Sequence, residues 1–310
     1  MAYTAITDII TPEVLADQIS AKFPDRLVLG ETNLVEVDST FPLGSPGTIF
    51  KLPFWKRIGA FGALTEGTAM TPGKIQTGAE YAVVQRAGLA LEVLDTAELV
   101  SKADPVGEIA DQFARRAAEY IDAALVAELV KSPNKFDQSG SGKTNTNGTV
   151  DQNAIVKAML TLGDNFGKLQ QGGAYICHSK QYGDLLQTGA IQNQYQSGMD
   201  VIKTGLIPTI MGLPVIVSDL VAPNYAGNAA SIISTETTAP YASYIVGPGA
   251  LALFYQRQVM VEFDRDILLT ADVIASNVHF AAHLFGYDDQ NGAVVAEQNK
   301  SIHVVQLFSN

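Results

Sequence analysis

The sequence predicts an α+β fold, and three observations carry that expectation. A single long helical stripe stands at residues 105–131. Strands alternating apolar and polar residues lie on either side of it, near residues 75–93 and again from residue 251 onwards. Between residues 41 and 64, an apolar stretch is broken so often by Pro and Gly that it cannot build a core of its own.

Residues 1–40 read as an arm with one short helix. Thr11 caps it, Pro12 takes the first helical position, and Val14, Leu15 and Ile19 continue the turn. The broken stretch comes after the arm, with Phe50, Leu52, Phe54, Trp55, Ile58 and Phe61 interleaved with Pro53 and Gly59. It is too apolar to stay free in water, so it reads as a long hairpin lying on another surface, that of a second subunit. The returning limb runs from about Ile75 into one continuous strand with Tyr81, Val83, Leu89, Leu91 and Val93 on one face.

The helix comes next. Asp104 is a good N-cap, Pro105 fits the first turn, and Glu108 and Asp111 place negative charge near the positive end. Ile109, Phe113, Ala117, Ile121, Ala124, Leu125 and Leu129 form one stripe, and Ser132-Pro133 stops it. Residues 137–149 read as a polar loop, and Ile155, Met159, Leu162 and Phe166 mark a second helix. Short buried strands are expected at 175–177, 214–217, 231–233 and 241–246, with a short helix at 181–187. Long strands return with Leu251, Leu253, Tyr255, Val259, Val261 and Phe263 on one face, then Val278, Phe280, Ala282 and Leu284, and 302–308 ends the pattern.

With 310 residues, length suggests about two domains. Charged residues are only 17% of the chain, below the roughly 25% usual for soluble proteins, which fits a subunit that hides surface against neighbours. A net charge of −12 argues against a dedicated nucleic-acid binder, because an acidic surface repels phosphate. One cysteine, Cys177, permits no intrachain disulfide, and the start lacks a signal peptide's charged and apolar regions. No apolar run is long enough to span a bilayer, so a cytoplasmic setting is expected.

The chemical motifs are weak. Gly142-Lys143-Thr144 resembles the end of a phosphate loop, but Asp137 stands where the first Gly must be, no buried strand is read before it, and a plain loop is expected. Gly247-Pro248-Gly249-Ala250-Leu251-Ala252 has dinucleotide-site spacing, yet the next element is a strand rather than a helix, so it reads as a turn. His279 and His283 lie on a strand, where a separation of four residues is roughly 13 Å and too far for one metal. Residues 288–292 read as a turn, and Cys177 as a small buried hydrophobe. No catalytic residue, cofactor site or metal site emerges.

The order of elements resembles the major capsid proteins of tailed phages, whose fold is shared with the encapsulin shell proteins of bacteria. Four stretches carry the likeness. Glu66-Gly67-Thr68-Ala69-Met70-Thr71-Pro72 is similar to the family's stretch beyond its extended loop. The strand into Leu94-Asp95-Thr96-Ala97-Glu98-Leu99 and the helix from Pro105 resemble its peripheral strand and spine helix. Residues 177–186 resemble its axial strand-then-helix, and Gly212-Leu213-Pro214-Val215 its Gly-x-Pro-Val strand.

The resemblance implies an N-terminal arm at 1–40, an extended loop at 41–78, a peripheral domain at 79–135 and 251–310, and an axial domain at 136–250. It implies a structural, non-enzymatic shell subunit whose axial lobes meet in pentamers and hexamers and whose loop lies across a neighbour. Phe50, Leu52, Phe54, Trp55, Ile58 and Phe61 are the expected contacts. A separate scaffolding protein, a portal and a decoration protein are implied partners, and DNA is enclosed without sequence-specific binding. The expected location is the virion capsid, assembled in the host bacterial cytoplasm. An encapsulin-type compartment is the nearest alternative, and a phosphate-binding enzyme built on Gly142-Lys143-Thr144 a more distant one.

Overall fold

A computed structural model describes residues 29, 32–38, 47–60, 62–63, 66–67, 69–70, 72–96, 105–138, 148–163, 166–169, 171–187, 209–221, 241–266, 268–295 and 303–309. The expected arm helix, the strand at 231–233, Phe61 and the Gly142-Lys143-Thr144 tract lie outside the described residues.

The first strands are β1 (Val35–Asp38), β2 (Ile49–Trp55), β3 (Thr77–Val83) and β4 (Gln85–Leu94), followed by helix α1 (Pro105–Leu129) and β5 (Lys135–Asp137). The middle of the chain forms α2 (Gln152–Leu160), α3 (Phe166–Leu169), β6 (Ala174–Cys177), α4 (Ser179–Gln187), β7 (Thr209–Ile210), β8 (Leu213–Val217) and β9 (Tyr241–Val246). Two long strands, β10 (Leu251–Asp266) and β11 (Ala271–Leu284), precede the short β12 (Tyr287–Asp288) and β13 (Ala293–Val294) and a last strand β14 (Val304–Ser309).

Two sheets organise the molecule. One has four strands in the order β1-β10-β11-β4, the other six in the order β5-β14-β9-β6-β8-β7. Helix α1 bridges them, at about 1.5 Å per residue a rod of about 37 Å. Its first half lays Ile109 and Phe113 on Leu91, Val93, Val261 and Ile274 of the four-stranded sheet. Its second half sets Ile121, Leu125 and Leu129 against Ile176, Tyr244, Leu253 and Phe280, where both sheets meet. The six-stranded sheet is covered on its far face by α2, whose Ile155 and Met159 pack with Tyr175, Ile245 and Leu307. Strands covered on both faces read as nearly continuous apolar runs, and β6, β9 and β14 are buried along nearly all their length.

Three expectations are corrected. The strand read as continuous through residues 81–93 is two strands broken at Val84: β3 pairs with β2, and β4 with β11. Val83 is therefore exposed and the inward residues of β3 are Glu80 and Ala82. The helix marked by Ile155 to Phe166 ends at Leu160, and Gly163 beyond it has φ 56°, a left-handed conformation that suits glycine. The final strand, grouped by the sequence with 251–310, instead lies inside the six-stranded sheet between β5 and β9, because its residues have an apolar partner on each face. A short strand, β5, also precedes the polar tract where none was expected.

The long β10 keeps the alternation read from its sequence despite two register shifts against β11. From Tyr255↔Phe280 to Met260↔Asn277, β10 advances two residues more than its partner. One extra residue would turn every later side chain to the wrong face, and two restore the phase. Val259 and Val261 consequently still face α1.

Candidate assembly interface

The broken apolar stretch forms an antiparallel hairpin, β2 against β3, in register from Ile49↔Val83 to Trp55↔Thr77. A hairpin of this size has little stability alone, so its anchorage matters. Its two faces differ. The even-numbered face of β2 turns to the subunit, where Phe50 and Ala82 join Ala252, Phe254 and Ala281 in a separate apolar cluster. The Phe50 and Phe254 rings stand 5.9 Å apart and tilted by 50°. The odd-numbered face, Ile49, Lys51, Pro53 and Trp55, is exposed.

This divides the six residues expected to contact a neighbour. Phe50 is 5% exposed, so its ring belongs to the subunit's own core and has almost no surface to offer, which corrects its assignment. Leu52 packs partly on the same cluster. Phe54 is half-buried over Gly78, where an added Cβ would collide with the ring. Trp55 is 62% and Ile58 66% exposed, and both are available to another molecule.

At the base of the hairpin, β3 carries a buried carboxylate that sequence reasoning missed. Glu80 accepts from the Gly286 backbone N–H at 3.0 Å and meets His283 Nε2 at 2.9 Å. The other ring nitrogen, Nδ1, stands 2.8 Å from Asp289 Oδ2. Lys131, just past the end of α1, donates to Asp289 at 2.7 Å and also to Glu128. One chain of charge thus ties hairpin, sheet, β12 turn and helix end together. The Asp289 backbone N–H adds a bond to Tyr81 O at 3.1 Å.

The electrostatics follow from burial. Burial alone would lower the pKa of His283, but hydrogen bonds and charges from Asp289 and Glu80 outweigh it and hold the value up at about 9. With a carboxylate on each nitrogen, the ring is an imidazolium donating both protons. Burial also pushes Glu128 up, to about 7, helped by the nearby Asp289 charge and opposed by Lys131. Asp289 is itself lowered: burial works against this, and the bonds from His283 and Lys131 prevail.

The other singled-out residues have structural places. Gly247 to Ala250 is the turn between β9 and β10, with Gly249 at φ 58°. Cys177 is buried, which pushes its thiol up to about 12. Asp288 closes its turn by accepting from the backbone N–H groups of Gln290 and Asn291. His279 lies on β11 beside Arg86 of β4. Among the described residues, no group of three or more His, Cys, Asp or Glu is arranged to hold a metal, and no helix is long and apolar enough to cross a membrane.

Comparisons with known proteins agree with this architecture. The chain is 26% identical over 301 residues to the major capsid protein of Bacillus phage SPP1, covering 91% of this chain and 86% of that one. It is 21% identical to the major capsid protein of Staphylococcus phage phiMR11, covering 97% and 98%. Among solved structures, the capsid of Helicobacter pylori bacteriophage KHP30 superposes with a TM-score of 0.66 at 13% identity over 89% of this chain and 87% of that one. The capsid of cyanophage Pam1 gives 0.64 at 13% identity over 93% and 92%, so the fold is that of tailed-phage capsids. The profile of the phage capsid protein family matches residues 77–295, from the start of β3 to just beyond β13. The chain belongs to the phage capsid protein family and is a shell-forming structural component of the virion.

Proposed function

We propose that the hairpin and the loop closing it lie across an adjacent subunit of the shell, and that burying Trp55 and Ile58 there drives assembly. The observation supporting this is the two-sidedness of the hairpin. One face is locked into its own subunit through Phe50, Glu80 and Ala82, while Trp55 and Ile58 project with no apolar cover. At about 25 cal/mol per Å² of apolar surface, covering these two side chains contributes several kcal/mol per contact, repeated for every subunit. Leu52 and Phe54 support the exposed face from behind, and Phe61 belongs to the same loop.

In this reading, residues 136–250 form the axial part that meets its copies in pentamers and hexamers, joined there by β14. Residues 79–135 and most of 251–310 form the peripheral part, and 1–40 reach onto neighbours. The role is structural, without catalysis or a cofactor. The shell encloses DNA without sequence-specific contacts, in keeping with the net charge of −12. A separate scaffolding protein, a portal and a decoration protein are its further partners, and assembly takes place in the host bacterial cytoplasm.

The test is negative-stain electron microscopy of the purified protein, alone and with a candidate scaffolding protein. Closed icosahedral shells are expected from the natural chain, and folded but unassembled subunits from Trp55→Asp. Normal shells from Trp55→Asp would refute the role of the loop.

A further inference from the structure

The hairpin is a two-stranded sheet that no third strand joins, so side chains and loops must hold it to its subunit. Apolar packing at Phe50 and Ala82 supplies one attachment. The buried charge chain supplies another. Glu80 reaches from β3 to His283 Nε2 and the Gly286 N–H, and the Asp289 N–H bonds the carbonyl of Tyr81, the next residue of β3. Both carboxylate residues that face the His283 ring therefore tie down the same strand.

The charges of this chain balance when the ring is protonated and Glu128 is neutral. Glu80 and Asp289 face His283 from β3 and the β12 turn, with the Phe285 ring edge-on at 5.9 Å. Glu128 and Lys131 close the chain from the end of α1, with the Tyr287 ring 5.5 Å from Lys131 Nζ. Two carboxylates then meet two cations. Glu128 suits its neutral form, because its Oε2 is buried with no hydrogen-bond partner. Removing the ring proton leaves one N–H for two carboxylates. Whichever carboxylate loses it faces a lone pair of the ring, beside the strand that both hold. Ionising Glu128 adds a further buried negative charge.

We propose that this chain is a proton-controlled latch: the doubly donating His283 ring holds the hairpin on its own subunit, and loss of the ring proton releases the hairpin while the two large sheets stay folded. The sign follows from linkage. A closed state that binds the proton more tightly than the open one is favoured at low pH and gives way as pH rises through its own value, here over a window from 6.5 to about 9. The apolar cluster at Phe50 is then left to hold the hairpin, and a hairpin of two strands frays once it is unsupported. The latch works within the isolated subunit and needs no neighbour. Its consequence for the shell, that Trp55 is aimed in one direction in neutral solution and not in alkaline, rests on the reading that the loop lies across an adjacent subunit.

Hydrogen exchange of the unassembled subunit, read by mass spectrometry and corrected for the intrinsic rate at each pH, tests the latch. Across the window from 6.5 to about 9, protection of β2, β3 and the Asp289 amide should fall on the order of a hundredfold. At the upper end β9 and β14 should remain at least about tenfold better protected than the hairpin, with circular dichroism unchanged. His283→Gln, which cannot donate to both carboxylates as a cation, should show weak hairpin protection throughout and lose most of the pH response. If that variant does not fold, Glu80→Gln, which keeps an acceptor for the Gly286 N–H, should shrink the response several-fold. Hairpin protection that is constant with pH, that equals the protection of β9 at every pH, or that keeps its full pH response in a folded variant overturns the inference. The loop reading itself fails separately, if Trp55→Asp assembles normally.

Discussion

His283 is fully buried and has a carboxylate on each ring nitrogen. Removing the ring by His283→Ala takes the imidazolium from the buried Glu80 and leaves Asp289 with Lys131, and breaking such a buried pair costs about 3–5 kcal/mol. Urea unfolding of the isolated subunit reads this directly. The raised pKa has a second consequence. A group that binds its proton more tightly when folded stabilises the fold fully below its unfolded value and loses that contribution as pH rises through its folded value. For His283 the window runs from 6.5 to about 9, with a loss on the order of 3 kcal/mol at most. Glu128, raised from 4.5 to about 7, acts in the same direction over its own window. Asp289, held low, opposes unfolding above its unfolded value of 3.8 and loses that contribution in acid. Melting temperature should therefore fall from pH 6.5 to 9. In His283→Gln, whose amide cannot titrate, most of that fall should vanish.

At the scale of the element, the hairpin separates stability from assembly. Phe50→Ala empties the packing against Phe254 and should cost about 3–5 kcal/mol in denaturant unfolding. Trp55→Ala, on the exposed face, should change subunit stability by less than about 1 kcal/mol while reducing shell yield. An equal stability loss in both would mean that Trp55 packs within its own subunit. Periodicity made the well-patterned elements legible. Strand β9 has the bounds expected of it, and α1 ends two residues early because Lys131 and Ser132 already form tightened turn bonds. The anchorage was less legible. Glu80 sits in an alternating strand where a charge normally marks the solvent face, and nothing local betrays its partner 203 residues away. A signal did exist at His283, a polar residue within the apolar run Phe280-Ala281-Ala282-His283-Leu284-Phe285. A strand buried on both faces obliges such a ring to find partners. The switch of sheets at Val84 left no trace, because the odd-numbered apolar positions continue through it.

For the whole molecule, the last strand is the component that holds the parts together. Besides pairing with β5 and β9, β14 carries the buried Gln306, whose amide donates to Val130 O at 2.7 Å and Ser132 O at 2.8 Å. These carbonyls at the end of α1 would otherwise lack partners. Ser132 returns a bond to Val304 O at 2.6 Å. Deleting residues 304–309 therefore removes an interior strand and the helix cap together. The truncated chain should fail to give a cooperative thermal transition, and a soluble product that melts like the natural subunit would contradict this account. The same strand also sets a clock. Lys135 must wait for Gln306, about 170 residues later, before its strand has a neighbour. At about 5–20 residues per second of synthesis, that leaves the edge of β5 unguarded on the ribosome for up to some tens of seconds, and the edge of β9, much nearer in sequence to β14, for a few to about twelve seconds. In a heavily translated message, many such half-finished edges coexist, and an open edge is a template for the wrong partner. Less frequent initiation, which lowers the number of open edges present at once, or a holding chaperone should raise the soluble yield without altering the finished subunit.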